Sequence, residues 1–225
     1  MNRFAKMLAF ALLLLWITAA FATPAENVAI TYKVKGTVDY VKSGTKSPAP
    51  LTAATHLSDG DKIITGKDGY CFLIFVEDKT QLKVRENTTL TISADRTDKG
   101  LDKQVNLDIG KIWTQVTKEG SNFRIATPTS VASVKGTMWW TYVDANGHTT
   151  VVGLAGIVTL LSRLSGQSSG VGSGQTGNSD NNGVNVGQTT GSILNPDGSG
   201  STNRIEIPFI DENGNTHTLV IEYEE

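Results

Sequence analysis

The segment Gly172-Ser173-Gly174-Gln175-Thr176-Gly177 has the glycine spacing of a dinucleotide-phosphate cradle. Such a cradle works only when a strand leads into it and a helix N-terminus follows, because backbone N–H groups must converge on the phosphates. Here both flanks are polar and rich in glycine, so the spacing is read as linker composition. Asn195-Pro196-Asp197-Gly198-Ser199-Gly200, with Glu206 at the twelfth place, echoes a calcium loop. Oxygen ligands at positions 1, 3 and 5, glycine at 6 and a carboxylate at 12 would suit that ion. Position 1 is Asn and position 5 is Ser, however, and Pro-Asp-Gly is also an ordinary turn. The loop leaves calcium open without assigning it.

Hydrolytic chemistry has no visible signature. The chain contains no H-E-x-x-H, and its one G-x-S-x-G match, Gly166-Gln167-Ser168-Ser169-Gly170, lies in a polar glycine- and serine-rich run with no helical pattern after it, so it is not a nucleophile elbow. His56, His148 and His217 stand apart, and His148 follows the turn pair Asn146-Gly147. Asp59 and Asp61 share one turn. Cys71 is the only cysteine, which excludes an internal disulfide framework and any multi-cysteine metal site. On the apolar strand Tyr70–Val76 it reads as a buried, inert thiol. No catalytic, cofactor-binding or metal-binding residue is assigned, and the expectation is a protein that is not an enzyme and carries no cofactor.

Tryptophan supplies the one hint of a surface. In Met138-Trp139-Trp140-Thr141-Tyr142-Val143, period-2 alternation puts Trp139, Thr141 and Val143 on one face and Met138, Trp140 and Tyr142 on the other. If the first face is core, the second is an outward apolar and aromatic stripe of the kind that binds sugars, peptides or proteins. Met138, Trp140 and Tyr142 are therefore the expected partner-binding residues, unless a second layer such as the terminal hairpin covers them.

The elements that must hold this stripe are strands. Alternation runs through Lys33–Val41, Thr80–Arg85, Thr89–Ile92 and Gln104–Ile109, punctuated by Asp59-Gly60, Asp68-Gly69, Lys99-Gly100 and Ile109-Gly110. Leu73, Phe75, Leu82, Val84, Leu90, Ile92, Leu107 and Ile109 are predicted to share the buried side. Asn146-Gly147 between two apolar runs predicts a hairpin. No stretch from Val28 to Leu161 keeps a helical period for three turns, so the body is expected to be all-β.

Composition divides the rest. Residues 1–22 have a short basic start (Arg3, Lys6), an apolar run from Met7 to Ile17 and a small-x-small site at Ala20-Phe21-Ala22, the pattern of an export signal cut before Thr23. That run is shorter than a bilayer span needs. The expected product is exported, periplasmic or secreted, with no stable membrane insertion after cleavage. The main β domain is placed at 23–163. Residues 164–203 hold 10 Gly, 8 Ser, 6 Asn and 4 Thr with no Lys, Arg or Glu, and are expected to be a flexible linker. Residues 204–225 read as a C-terminal β-hairpin around Asn213-Gly214. Charge follows the same line: 23–163 carries 17 basic and 14 acidic residues, whereas 164–225 carries 1 and 8. The whole chain, with 20 Lys+Arg against 22 Asp+Glu, is too balanced for nucleic acid to be its main partner.

A set of elements occurs in one order: Leu57-Ser58-Asp59-Gly60-Asp61-Lys62-Ile63-Ile64-Thr65-Gly66, Cys71–Phe75, Gln81–Val84, Asn87–Leu90, Leu107–Trp113, Phe123–Thr129, Val131-Ala132-Ser133-Val134-Lys135-Gly136-Thr137 and Gly153–Val158. Taken together from about Lys35 to Leu161, they resemble the FecR domain, the periplasmic module of the bacterial iron-dicitrate transport regulator. The resemblance implies a β-rich exported module, solenoid-like or a sandwich. It also implies a partner in the cell envelope, protein or polysaccharide. Only six residues precede the apolar run, and the family's C-terminal transporter-contacting module has no evident counterpart. Sigma-factor control is therefore not carried over. The expectation is a non-enzymatic binding or structural module of the envelope, with a sensor acting through a separate membrane regulator as the alternative.

Overall fold

The computed structural model describes residues 27–98, 100–117, 123–134, 136–189, 204–210 and 216–222. Residues 1–22, the expected export signal, and residues 195–203 of the calcium-type loop lie outside them. Among the described residues the chain forms strands and no helix, as alternation without helical periodicity requires. In chain order the strands are β1 (Ala29–Lys35), β2 (Val38–Val41), β3 (Pro48–Pro50), β4 (His56–Leu57), β5 (Lys62–Thr65), β6 (Tyr70–Phe75), β7 (Gln81–Val84), β8 (Thr89–Thr97) and β9 (Gly100–Gln115). They continue as β10 (Phe123–Ala126), β11 (Ser130–Val134), β12 (Met138–Val143), β13 (Thr149–Ala155), β14 (Val158–Ser162), β15 (Ser168–Val171), β16 (Gln175–Asp180) and β17 (Gly183–Gln188). The last two are β18 (Arg204–Ile210) and β19 (Thr216–Glu222).

Strands β1 to β17 form one mixed sheet, folded into two layers that share β9. The first layer runs β4-β1-β6-β7-β9-β12-β13-β16-β17. The second runs β3-β2-β5-β8-β9-β10-β11-β14-β15, antiparallel except for the parallel pair β9–β10. The chain passes from one layer to the other and back after every one or two strands. The fold is thus a wound stack and a two-layer sandwich at once.

The inner faces pack into one core. Leu57, Leu73, Leu82 and Val84 come from the first layer, and Ile63, Leu90, Ile92, Val105 and Leu107 from the second. Phe123 of the second layer meets Phe75 and Trp139 of the first edge-on, with ring centroids 5.4 and 6.2 Å apart. Such aromatic pairs add to area burial and fix the facing of the layers.

Strand β9 changes layers at Gly110, whose φ of +108° few side chains tolerate. A Cβ there would sit 2.5 Å from Thr88 Cα. The β8–β9 register slips at Thr89/Leu90, and inward positions change from Leu101, Lys103, Val105 and Leu107 to Gly110, Ile112 and Thr114. Ile109, expected on the buried side, is instead 38% exposed. A one-residue slip moves every later side chain to the opposite face.

The linker expectation is also corrected in part. Residues 168–188 contribute β15, β16 and β17 to the two layers, with Val151 opposite Gly177 and Ser179 opposite Val184. Glycine and serine serve here as thin strand residues: a Cβ on Gly177 would come 2.4 Å from Val171 in the facing layer. The glycine-spaced segment 172–177 is the turn and start of β16, where Gly172 N–H donates to Gln175 Oε1 at 2.8 Å. No helix follows it, so it has no phosphate-cradle geometry. Among the described residues, strands β18 and β19 pair only with each other, from Arg204↔Glu222 to Ile210↔Thr216.

Candidate functional site

The two outer faces differ in kind. On the second layer, Lys62 pairs with Asp108 at 3.2 Å, Arg124 with Asp102 at 2.8 Å, and Gln104 donates to Asn106 at 2.7 Å. Exposed pairs of this sort make a solvated surface. On the first layer, the registers line up Phe72, Lys83, Trp113, Trp140, Val152 and Thr176 as direct cross-strand neighbours on β6, β7, β9, β12, β13 and β16. Neighbouring strands lie about 4.8 Å apart, so this row crosses about 24 Å of sheet.

Each member owes its place to alternation against an inward partner. Trp139, Thr141 and Val143 of β12 face the core, and Trp139 Nε1 donates to Thr141 Oγ1 at 2.9 Å inside it. Met138, Trp140 and Tyr142 therefore share the outer face, as alternation predicts. Exposure does not follow, however: Trp140 is 9% exposed, and Met138 and Tyr142 are half-buried. Burial, followed by the Asp144 charge, raises the Tyr142 phenol above its ordinary pKa.

Sequence reasoning missed most of the row. Trp113 follows Ile112, but the layer change at Gly110 hides its facing from a simple alternation count. Lys83 Nζ stands 4.4 Å from the Trp113 ring centroid and 6.0 Å from that of Phe72, a cation over two aromatic faces. Tyr32, 66% exposed at the β1 bulge, extends the aromatic run by packing edge-on against Phe72 at 5.5 Å. Beside the row, Arg85 lies 5.8 Å from the Tyr70 ring, and Lys111 donates to Glu86 at 2.8 Å. Burial alone would raise the Glu86 carboxyl, but the Lys111 bond and the nearby cations outweigh it and hold it low.

Two polar atoms in the row are unsatisfied. Trp113 Nε1 and Trp140 Nε1 are buried and meet no acceptor among the described residues. Buried donors of this kind cost about 1–3 kcal/mol each, which distinguishes them from the satisfied Trp139.

The titratable groups inside the fold act structurally. Asp61 accepts from Ser43 N–H at 2.8 Å and Ser58 N–H at 2.9 Å, while Asp59 accepts from Ala94 N–H at 2.9 Å. Both clamp the turn before β5. Lys103 enters the core from β9 and is 1% exposed, with Nζ 2.9 Å from Asp78 and 3.0 Å from Glu77. Asp78 also accepts from Thr80 Oγ1 at 2.9 Å. The triad ties the β6–β7 turn to the second layer. His148 lies 3.4 Å from Asp144, which accepts the His148 and Asn146 N–H groups at 2.9 and 2.8 Å and so caps the β12–β13 turn. Cys71 is buried, and burial pushes its thiol up to about 12. Among the described residues no group of three or more His, Cys, Asp or Glu is placed to hold a metal ion.

Comparison with known proteins bears on the body. Two solved structures are similar, both of a "putative anti-sigma factor" from Parabacteroides distasonis ATCC 8503, at 1.65 and 2.50 Å resolution. Each is 14% identical with a TM-score of 0.48, and the matched region covers 56% of this chain and 59% of that one. No curated protein matches the sequence. The family model described as FecR protein matches residues 61–159, from the Asp61 clamp to the middle of β14. Residues 61–159 of this chain are a FecR domain.

Proposed function

We propose that this chain is an exported binding module of the bacterial cell envelope, acting through the outer aromatic face of its first layer and not as an enzyme. The observation that carries the reading is the cross-strand row Phe72–Lys83–Trp113–Trp140–Val152–Thr176, with Met138 and Tyr142 beside it. Recognition hot spots are enriched in Trp, Tyr and Arg because such groups desolvate large areas. A rigid sheet presents them at little entropic cost. The other outer face carries no tryptophan at its described strand positions and shows ion pairs instead. A protein surface is the favoured partner, since the row is broad, flat and apolar with a cationic flank. The FecR domain at 61–159 favours a role in envelope signalling, in which that protein is a membrane regulator.

The test is capture from envelope extracts with the exported chain as bait. Met138→Lys and Tyr142→Lys, both at half-buried positions, are expected to lose capture, whereas Gln104→Lys on the opposite layer retains it. Equal capture by all three variants would remove the aromatic face from the account.

A further inference from the structure

Trp113, Trp140, Val152 and Thr176 are outward by register, yet they are only 2%, 9%, 1% and 5% exposed. Period-2 geometry leaves outward residues of an uncovered sheet partly wet, as Phe72, Met138, Tyr142 and Asn178 are. Four consecutive outward positions buried like core residues require a cover about 14 Å across, the width of three strand spacings. Apart from β18 and β19, every described strand belongs to one of the two layers. We propose that the C-terminal hairpin β18–β19 is this cover: it docks in cis on the Trp113–Trp140 row as a third layer.

Three features of the chain fit the occupant. The hairpin register pairs Ile205 with Ile221, Ile207 with Leu219 and Phe209 with His217. These six positions share one face of the ribbon, and five are apolar. A lone two-stranded hairpin is marginal in water, so such a face has to find a partner surface. A seven-residue strand spans about 23 Å, enough to lie along the buried part of the row.

Charge is complementary as well. Residues 204–225 carry Arg204 against six acidic residues. The first layer's outward strand positions include Lys33, Lys35, Lys83 and Lys111 against Asp180.

The tether reaches. Residues 190–203 separate the end of the main sheet from Arg204, and that length extends to about 45 Å at full stretch. The path from β17 to β12 crosses three strand spacings, about 14 Å. Docking at this face puts the hairpin and an envelope partner in competition for Trp140. The inference itself rests on burial and register, not on the partner reading.

The experiment uses the exported full-length chain. A zero-length carbodiimide cross-linker is applied to a mixture of normal and 15N-labelled protein, and the linked peptides are sequenced by mass spectrometry. The expected result is links from Lys33, Lys35, Lys83 or Lys111 to acids in 206–225, with both peptides of one isotope. Links of mixed isotope would make a second copy the occupant and overturn the proposal. In parallel, Ile207→Asp/Leu219→Asp in the hairpin is expected to red-shift the tryptophan emission and raise acrylamide quenching severalfold. Far-UV circular dichroism of the body should stay unchanged. No link to this face, together with unchanged quenching in the variant, would also overturn it.

Discussion

Trp139 and Trp140 are adjacent on β12 and separate the two kinds of burial in this protein. Trp139 packs in the core with its N–H satisfied by Thr141 at 2.9 Å. Trp140 is buried on the outer face, and its N–H meets no acceptor among the described residues. A tryptophan buries about 200 Å², and at about 25 cal/mol/Å² its removal costs about 5 kcal/mol as an upper bound. Compaction of the unfolded chain trims this to about 3–4 kcal/mol. For Trp140→Ala, loss of the orphaned donor returns about 1–3 kcal/mol, leaving a net cost of about 2 kcal/mol. For Trp139→Ala nothing is returned, and the cost is about 3–5 kcal/mol. The paired phenylalanine variants sharpen the contrast. Trp140→Phe removes an unsatisfied group and is expected to be neutral or stabilising, whereas Trp139→Phe breaks a made hydrogen bond and costs about 1 kcal/mol beyond its lost volume. Urea titrations of the four variants, read as midpoints at constant slope, give these differences directly. The reasoning is refuted if Trp140→Phe destabilises as much as Trp139→Phe, or if Trp140→Ala leaves the midpoint unmoved.

Three further outcomes follow from the fold. Lys103→Ala leaves Asp78 buried without its cation and should cost about 3–5 kcal/mol, while the double change Lys103→Met/Asp78→Leu recovers most of it, both read by urea unfolding. Gly110→Ala forces a Cβ to within 2.5 Å of Thr88 Cα at φ +108° and should cost more than about 1 kcal/mol, measured in the same way. The Cys71 thiol is raised in the fold from 9.0 to about 12, so the neutral form is the one folding favours. Its stabilising contribution is whole below pH 9.0 and is lost as pH rises through about 12. Cys71→Ala should flatten that alkaline slope in unfolding experiments, and the native thiol should react with a disulfide reagent only after unfolding.

Local pattern made much of this legible. Alternation marks Leu73, Phe75, Leu82 and Val84 as core because each lies on a strand that stays in one layer, and the structure buries all four. It fails at Ile109, where Gly110 carries β9 from one layer to the other, and the same crossing conceals Trp113. Parity within β12 was readable, but whether its outer side is wet depends on a third layer, a long-range fact that no window of six residues contains. The Gly/Ser/Asn segment misled for a related reason. Composition reports how little apolar surface a strand can bury by itself, whereas β16 is held by Val151 and Val152 of β13 and by the close approach of Val171 to Gly177. Lys103 shares the inward parity of Val105 and Leu107, and what lets a lysine stand there is the β6–β7 turn, which brings Glu77 and Asp78 beside it from far away in the sequence.

The claim that the first layer's outer face is where this protein meets its envelope partner is tested most directly by site-specific photocross-linking in intact cells. A photoreactive phenylalanine analogue is placed at Met138 or Tyr142, and separately at Gln104 on the opposite outer face. The account predicts one discrete protein adduct from positions 138 and 142 and none from 104. Adducts from 104 alone, or the same adducts from all three positions, would contradict it.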